Sequence, residues 1–186
     1  MLLILIIRVS MPAFGQYTDM EETRRECFML LVGKDASVDG SVLLAHNNDL
    51  TGTEKSHIVK HERKVWGKTD SVRLPSELAI PQSDTTFAWL SMEIEKGYAE
   101  GDAVAINTYG VAIAGGVALK PDRNSKAAAA DPLVKNGVTG GIRYIALQRS
   151  KTARQCVRML GDFYSRYGVT YPSGVGIADT AEIWYI

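Results

Sequence analysis

The order of patterns along the chain predicts an α+β fold in which sheets and helices form layers. Strand-and-turn patterns recur at 27–46, 103–116 and 174–186, and one continuous stretch, 140–168, has helical spacing. No internal repeat is present. Strands, then helices, then strands is the order of an α+β sandwich rather than of alternating βαβ units.

Each element has its own justification. CFMLLVG at 27–33 is a continuous apolar run of strand length, read as a strand covered on both faces. Asp39-Gly40 supplies a turn, and SVLLAH returns as the partner strand, so 27–46 is a hairpin. HIVKHERKV at 57–65 alternates weakly, as an edge or exposed strand does, whereas 66–86 is mixed and polar. FAWLSME at 87–93 is strand-like, and AVAINTYGVAIAGG at 103–116 is a second hairpin turning at Asn107–Gly110. KPDRNSKAAAADP at 120–132 reads as a surface loop with a short helical Ala stretch. GGIRYIALQR is helical and runs into a second helix, for which Ser150 is the expected cap and Gly168 the expected stop. GVGIADTAEIWYI is the third hairpin. It ends on its most apolar residues, so the chain is expected to be a fragment of something longer.

The 186 residues suffice for one domain with a core, and 46% hydrophobic with 23% charged is ordinary for a globular protein. Lys+Arg and Asp+Glu balance at 21 each, which argues against an electrostatic nucleic-acid binder. No apolar run is long enough to span a membrane. MLLILIIRVSMPAFGQ at 1–16 combines an apolar run with a small-residue end and is read as a secretory signal, although no Lys or Arg precedes the run and Arg8 interrupts it. A buried first strand or a misplaced start codon is the alternative. On the signal reading the protein is exported to a periplasmic or extracellular space, 17–26 is a short leader, and 27–186 belongs to the folded domain.

An exported chain with two cysteines would ordinarily pair them. Here Cys156 shares a helical face with Ala153, Val157, Leu160, Phe163, Tyr164 and Tyr167, and so reads as a small core residue. Cys27 opens a strand beside an expected chain break. A nucleophilic thiol needs a base. One candidate is His46, at the end of the paired strand. The other is the α-amino group that Cys27 would gain if the chain were cut after Glu26, whose ordinary pKa of about 7.7–8.0 suits a base near neutrality. His57 and His61 lie one strand period apart, but no third ligand accompanies them, so no metal is expected. Trp66, Trp89 and Trp184 read as packing residues.

Cys27 through Ser41, with its DGS turn and the following Ala-His-Asn-Asn-Asp, resembles the start of the dipeptidase A-like cysteine peptidases. These are N-terminal-nucleophile hydrolases related to choloylglycine hydrolases and penicillin V acylases. NTYGVAIA from Asn107, NGVT from Asn136, LQRSKTAR from Leu147 and GIADTAEIW from Gly176 follow in the same order, so the resemblance covers about 27–186. It implies a four-layer αββα sandwich, incomplete in this chain, in which the freed Cys27 attacks an amide carbonyl. It also implies that Asp49 holds the α-amino group by a charge-assisted hydrogen bond, and that the Asn107 backbone N–H, with or without its side chain, helps bind the oxyanion. Asn47 matches a turn Asn and reads as structural.

His46 stands where the family usually carries Arg. It can do part of that residue's task when charged, change substrate choice, or mark lost activity. The family also continues well beyond residue 186, with a further oxyanion Asn and an Arg. The expected function is therefore a cysteine-dependent dipeptidase that takes small peptides and needs no cofactor, with oligomerisation left open. An acylase for a non-peptide amide and a catalytically inactive fragment or binding module are the alternatives.

Overall fold

A computed structural model describes residues 27–47, 55–94, 104–118, 130, 133–170 and 173–186. The segments read as signal and leader, 1–26, and Asp49 lie outside the described residues, as does the 120–132 loop apart from Ala130.

The architecture is mixed α and β, as the element order predicts. Its centre is a six-stranded antiparallel sheet. In spatial order its strands are β12 (Ile183–Tyr185), β11 (Ser173–Ala178), β10 (Ala112–Ala118), β9 (Val104–Asn107), β8 (Trp89–Ile94) and β3 (Ser56–His61). Both later hairpins are present where the turn chemistry put them, β9–β10 around Asn107–Gly110 and β11–β12 around Asp179–Glu182. β3 is the edge strand that its weak alternation suggests. The polar stretch 66–86, which has no clear period, forms short pairs. β5 (Ser71–Arg73) pairs with β6 (Ala79–Pro81), and β4 (Lys64–Val65) pairs with β7 (Thr85–Thr86).

The two faces of the sheet differ in side-chain size, because register puts alternate residues of β10 and β11 on opposite sides. Ile113, Val175 and Ile177 face the helices and are buried with Ile142, Ile145, Leu147 and Leu160 in one cluster. Ala112, Ala114, Gly176 and Ala178 face the other way. On that side stacks the hairpin of β1 (Phe28–Val32) and β2 (Leu43–Asn47). A Cβ on Gly176 would lie 2.8 Å from Leu44 Cδ1 and 3.2 Å from Met29 Sδ. The absence of a side chain there is what lets the hairpin sit this close. Among the described residues the hairpin is covered on one face only: Phe28 is 61% and Leu30 55% exposed. The continuous apolar run had suggested cover on both faces, and the outward residues of β1 depart from that reading.

The helical stretch at 140–168 forms two helices, as its pattern predicts. α1 (Ile142–Leu147) ends at Gln148, and α2 (Ala153–Tyr167) starts five residues later. The cap of α2 is Thr152, whose side chain accepts from Gln155 N–H at 3.2 Å. Ser150 was the expected cap. It is instead fully buried and donates to the Ala146 carbonyl at 2.8 Å. Gly168 closes α2 as expected, with φ +65° and its N–H bonded to the Tyr164 carbonyl.

Asp179 ties the β11–β12 turn to the start of α2. Its Oδ2 accepts from Ala153 N–H at 2.7 Å, and its Oδ1 accepts from Ala181 N–H at 2.8 Å and Glu182 N–H at 3.0 Å. Partial burial works to raise the carboxyl pKa. The three backbone donors and Arg154 outweigh it and hold the group below the usual carboxylate range. A depressed native pKa contributes stability above the unfolded value, near 3.9, which is lost as pH falls through the native value. Asp179→Ala is therefore expected to cost about 1–2 kcal/mol at pH 7, by analogy with helix caps, with Asp179→Asn costing less. The gap between wild type and Asp179→Ala should narrow between pH 7 and an acidic pH below the native value. Urea unfolding at both pH values checks this, and a pH-independent gap contradicts it.

Candidate active site

β1 starts immediately after Cys27, which is half-buried and not in a disulfide. In the hairpin register Met29 lies opposite His46 and Leu31 opposite Leu44. These residues share the face that looks onto the sheet, and all are at least partly covered, whereas Phe28, Leu30, Leu43 and Asn47 look outward. Cys27 is one pleat before Met29, so the alternation puts it on this inner face, diagonal to His46. Diagonal neighbours on a strand pair are about 7–8 Å apart between Cα atoms. The structure thus brings Cys27 and His46 to one end of one hairpin face, as the sequence spacing suggests.

Cys156 is in the opposite situation. It is wholly inaccessible in α2, among the apolar residues of the helix-facing cluster. Burial pushes its thiol up to about 12, and the hydrogen bond to Ser150 only partly offsets this. A thiol in this state is neither a nucleophile nor accessible to a substrate.

The structure engages the polar groups of Asn107 within the fold. Its backbone N–H donates to the Val111 carbonyl at 2.9 Å, closing the β9–β10 turn. Its Nδ2 donates to the Leu147 carbonyl at 2.8 Å and to the Ser150 carbonyl at 2.7 Å. Its Oδ1 accepts from Tyr109 N–H at 2.9 Å and Val111 N–H at 3.1 Å. Every donor and both acceptor positions of the amide are thereby used. The side chain points to the helices, away from the face on which the Cys27 hairpin stacks. The residue is a clasp between the turn and the junction of α1 and α2.

Two polar groupings have no counterpart in the sequence reading. His61 Nε2 lies 2.9 Å from Ser91 Oγ and 3.1 Å from Glu93 Oε1, with its ring stacked 3.7 Å from Trp89. Asp179 has the three backbone partners described above. The His61 partners come together through strand register about 30 residues apart, and Ala153 reaches Asp179 through packing from 26 residues away, which no local motif encodes.

Residues 26–186 match Peptidase family C69. A probable dipeptidase of Salmonella dublin is 31% identical over 165 residues, covering 86% of this chain and 37% of that protein. A probable dipeptidase B of Lactococcus lactis subsp. lactis is 30% identical over 174 residues, covering 89% of this chain and 35% of the relative. A dipeptidase of Bifidobacterium longum is 30% identical over 176 residues, covering 86% and 32%. The chain thus spans about a third of the length of these curated relatives.

Native labelling separates the two thiols. Iodoacetamide at pH 8 is expected to modify Cys27 at least about 100-fold faster than Cys156, because reactivity follows thiolate fraction and access. Intact mass of the Cys27→Ser and Cys156→Ser variants identifies the site, and initial labelling of Cys156 would reverse the assignment. Asn107→Ala leaves buried carbonyls and N–H groups unmatched and is expected to cost about 2–4 kcal/mol. A variant that keeps wild-type stability while losing only turnover would restore Asn107 to the catalytic machinery.

Proposed function

The chain belongs to peptidase family C69, and from that premise we propose that the protein carrying it is an exported, cysteine-dependent hydrolase of short peptides, with Cys27 as nucleophile. The observation that carries the proposal is the contrast between the two thiols. Cys27 is half-buried at the head of β1 beside His46, while Cys156 is sealed in the core. The dipeptidase names of the relatives support the substrate class.

In this mechanism, removal of the residues up to Glu26 frees the Cys27 α-amino group. The neutral amine takes the thiol proton, and the sulfur attacks the scissile carbonyl. The new C–S bond forms a tetrahedral intermediate. As the C–N bond breaks, the α-ammonium returns the proton to the departing amine, leaving a thioester. Water, deprotonated by the same amine, then releases the acid and restores the thiol. One residue thus supplies nucleophile and base. Asp49 is proposed to hold the amine by a charge-assisted hydrogen bond. His46, in its protonated form, would supply the positive charge that favours thiolate over thiol. The oxyanion donors are sought elsewhere than at Asn107. The wider architecture proposed is the αββα sandwich, with the helices, the six-stranded sheet and the β1–β2 hairpin as three of its layers.

A catalytically inactive relative is the competing reading, favoured by His46 where the resemblance calls for Arg. Mass spectrometry of the exported protein is expected to find Cys27 as the first residue. Cys27→Ser is expected to abolish hydrolysis of a dipeptide panel and to leave the leader uncut, and Cys156→Ser is expected to change neither. Full activity in a form that still carries Glu26 would sink the mechanism. A correctly cut Cys27 without turnover on peptides or on acyl-amides would favour the inactive relative.

A further inference from the structure

Among the described residues, Arg143 is the one charged side chain buried in the core. It is 4% exposed and sits in the first turn of α1. A buried guanidinium is costly, and packing of this kind asks for a reason. Its Nε donates to the Gly140 carbonyl at 3.0 Å. Its charge reaches its neighbours: burial raises the Tyr164 hydroxyl above the ordinary range, and Arg143 works against that rise.

The guanidinium lies against Gly115 of β10. A Cβ there would overlap Arg143 Nη1 and stand 2.5 Å from Cζ, so the bare glycine is what admits the cation. The strand is irregular at the same place. Gly115 pairs with Val175 and Val117 with Gly174, which leaves Gly116 as an extra residue and makes this a bulge. Two adjacent glycines in a bulge have wide conformational freedom. A planar cation packed beneath them restricts it.

The bulge also lies on the path of the Cys27 hairpin. At the turn end, a Cβ on Gly33 would be 3.8 Å from Ile183 Cγ2 of β12. Met29, Leu31 and Leu44 lie over Gly176 of β11, and both strands of the hairpin pack on β10 as well. From Gly33 to Met29 the hairpin therefore crosses from β12 to β11. It also moves from the level of Ala178, the partner of Ile183, to the level of Gly176. One more pleat, about 7 Å, carries Cys27 onto β10 and past Ala114, the partner of Gly176. The next residues of β10 are Gly115 to Val117. Cys27 thus comes to one side of the bulge, and Arg143 lies on the other.

We propose that Arg143 is a positioning residue for the chemistry at Cys27. It holds the β10 bulge in shape beneath the nucleophile and places a fixed positive charge behind it. Acyl transfer builds negative charge on the carbonyl oxygen, and a desolvated charge already in place favours that step without touching the substrate. The catalytic half of this inference rests on Cys27 being the nucleophile of a peptide hydrolase.

The test uses the full chain and two alkylating agents that differ in charge, iodoacetate and iodoacetamide. The ratio of their rates at Cys27 reports the local potential, and it cancels the reactivity of the thiol itself. A unit charge ~10 Å away, at an effective dielectric constant of about 40, changes the rate of an anionic reactant about 4-fold. Arg143→Met is therefore expected to lower the iodoacetate to iodoacetamide ratio about 4-fold, and Arg143→Lys is expected to keep it. Arg149→Met, which removes a cation beyond the far end of α1, should leave the ratio unchanged. On a dipeptide panel Arg143→Met should lower kcat about 10-fold with KM within about 3-fold, and Arg143→Lys should recover most of the loss. Melting temperatures check each fold. If Arg143→Met does not fold, Gly115→Ala decides, since its Cβ displaces the guanidinium and should lower the ratio about 2-fold. An unchanged ratio in the deciding variant, or an equal fall in Arg149→Met, would overturn the inference. The expected fall in the ratio without turnover of any dipeptide would sink the hydrolase reading and leave Arg143 as the charge behind Cys27. Turnover with a flat ratio would sink the Arg143 proposal alone.

Discussion

The setting of Cys27 depends on how closely a two-stranded hairpin can approach the middle of a six-stranded sheet. Stacked sheets usually stand about 10 Å apart, with side chains from both filling the gap. Here the sheet contributes almost nothing to the gap at the contact, because Ala112, Ala114 and Gly176 occupy its hairpin-facing positions. Met29, Leu31 and Leu44 fill the space from the hairpin side, against the bare backbone of Gly176. The same strands carry Ile113, Val175 and Ile177 on the other face, where the helices provide partners of matching bulk. Small on one side and branched on the other is the division that orders these layers. It also determines that the inner face of the hairpin, the face of Cys27 and His46, is the one drawn toward the sheet.

Polar groups then lock the helix layer to this scaffold. Asn107 joins the β9–β10 turn to the end of α1, and Asp179 joins the β11–β12 turn to the start of α2. Both act on backbone groups that helix ends and turns leave unpaired, the kind that are costly to bury unmatched. The short junction between α1 and α2 is therefore held from two hairpins at once. Arg154 adds a bond to Glu182 at 2.6 Å and lies over the Trp184 ring. These clasps lie on the helix side of the sheet.

The two cysteines show how environment, not residue type, sets chemical capacity. One is part of a packed helix face, where removing water disfavours the thiolate. The other starts a strand at a partly open end, with an imidazole on the same face. Of the two, the second has surface open to a reactant.

Local chemistry made much of this legible in the sequence. The Asp39-Gly40 turn, the Asn107–Gly110 turn, the helical face through Cys156 and the Gly168 stop are all encoded within a few residues, and each forms where its pattern puts it. The diagonal placement of Cys27 and His46 follows as well, since hairpin register is set by the turn and the pleat. The rest depended on partners remote in the chain. Only packing against α1 showed that Asn107 is spent as a clasp, since the Leu147 and Ser150 carbonyls that claim it lie 40 and 43 residues away. Ser150 lost its expected capping role to Thr152 because the core took its side chain. The run at 27–33 looked doubly buried because apolar content reports an affinity for cover, not the presence of something to provide it. Periodicity and turn chemistry are local and can be read from order alone. Which buried polar group meets which backbone is a matter of three-dimensional proximity, and only the tertiary structure decides it.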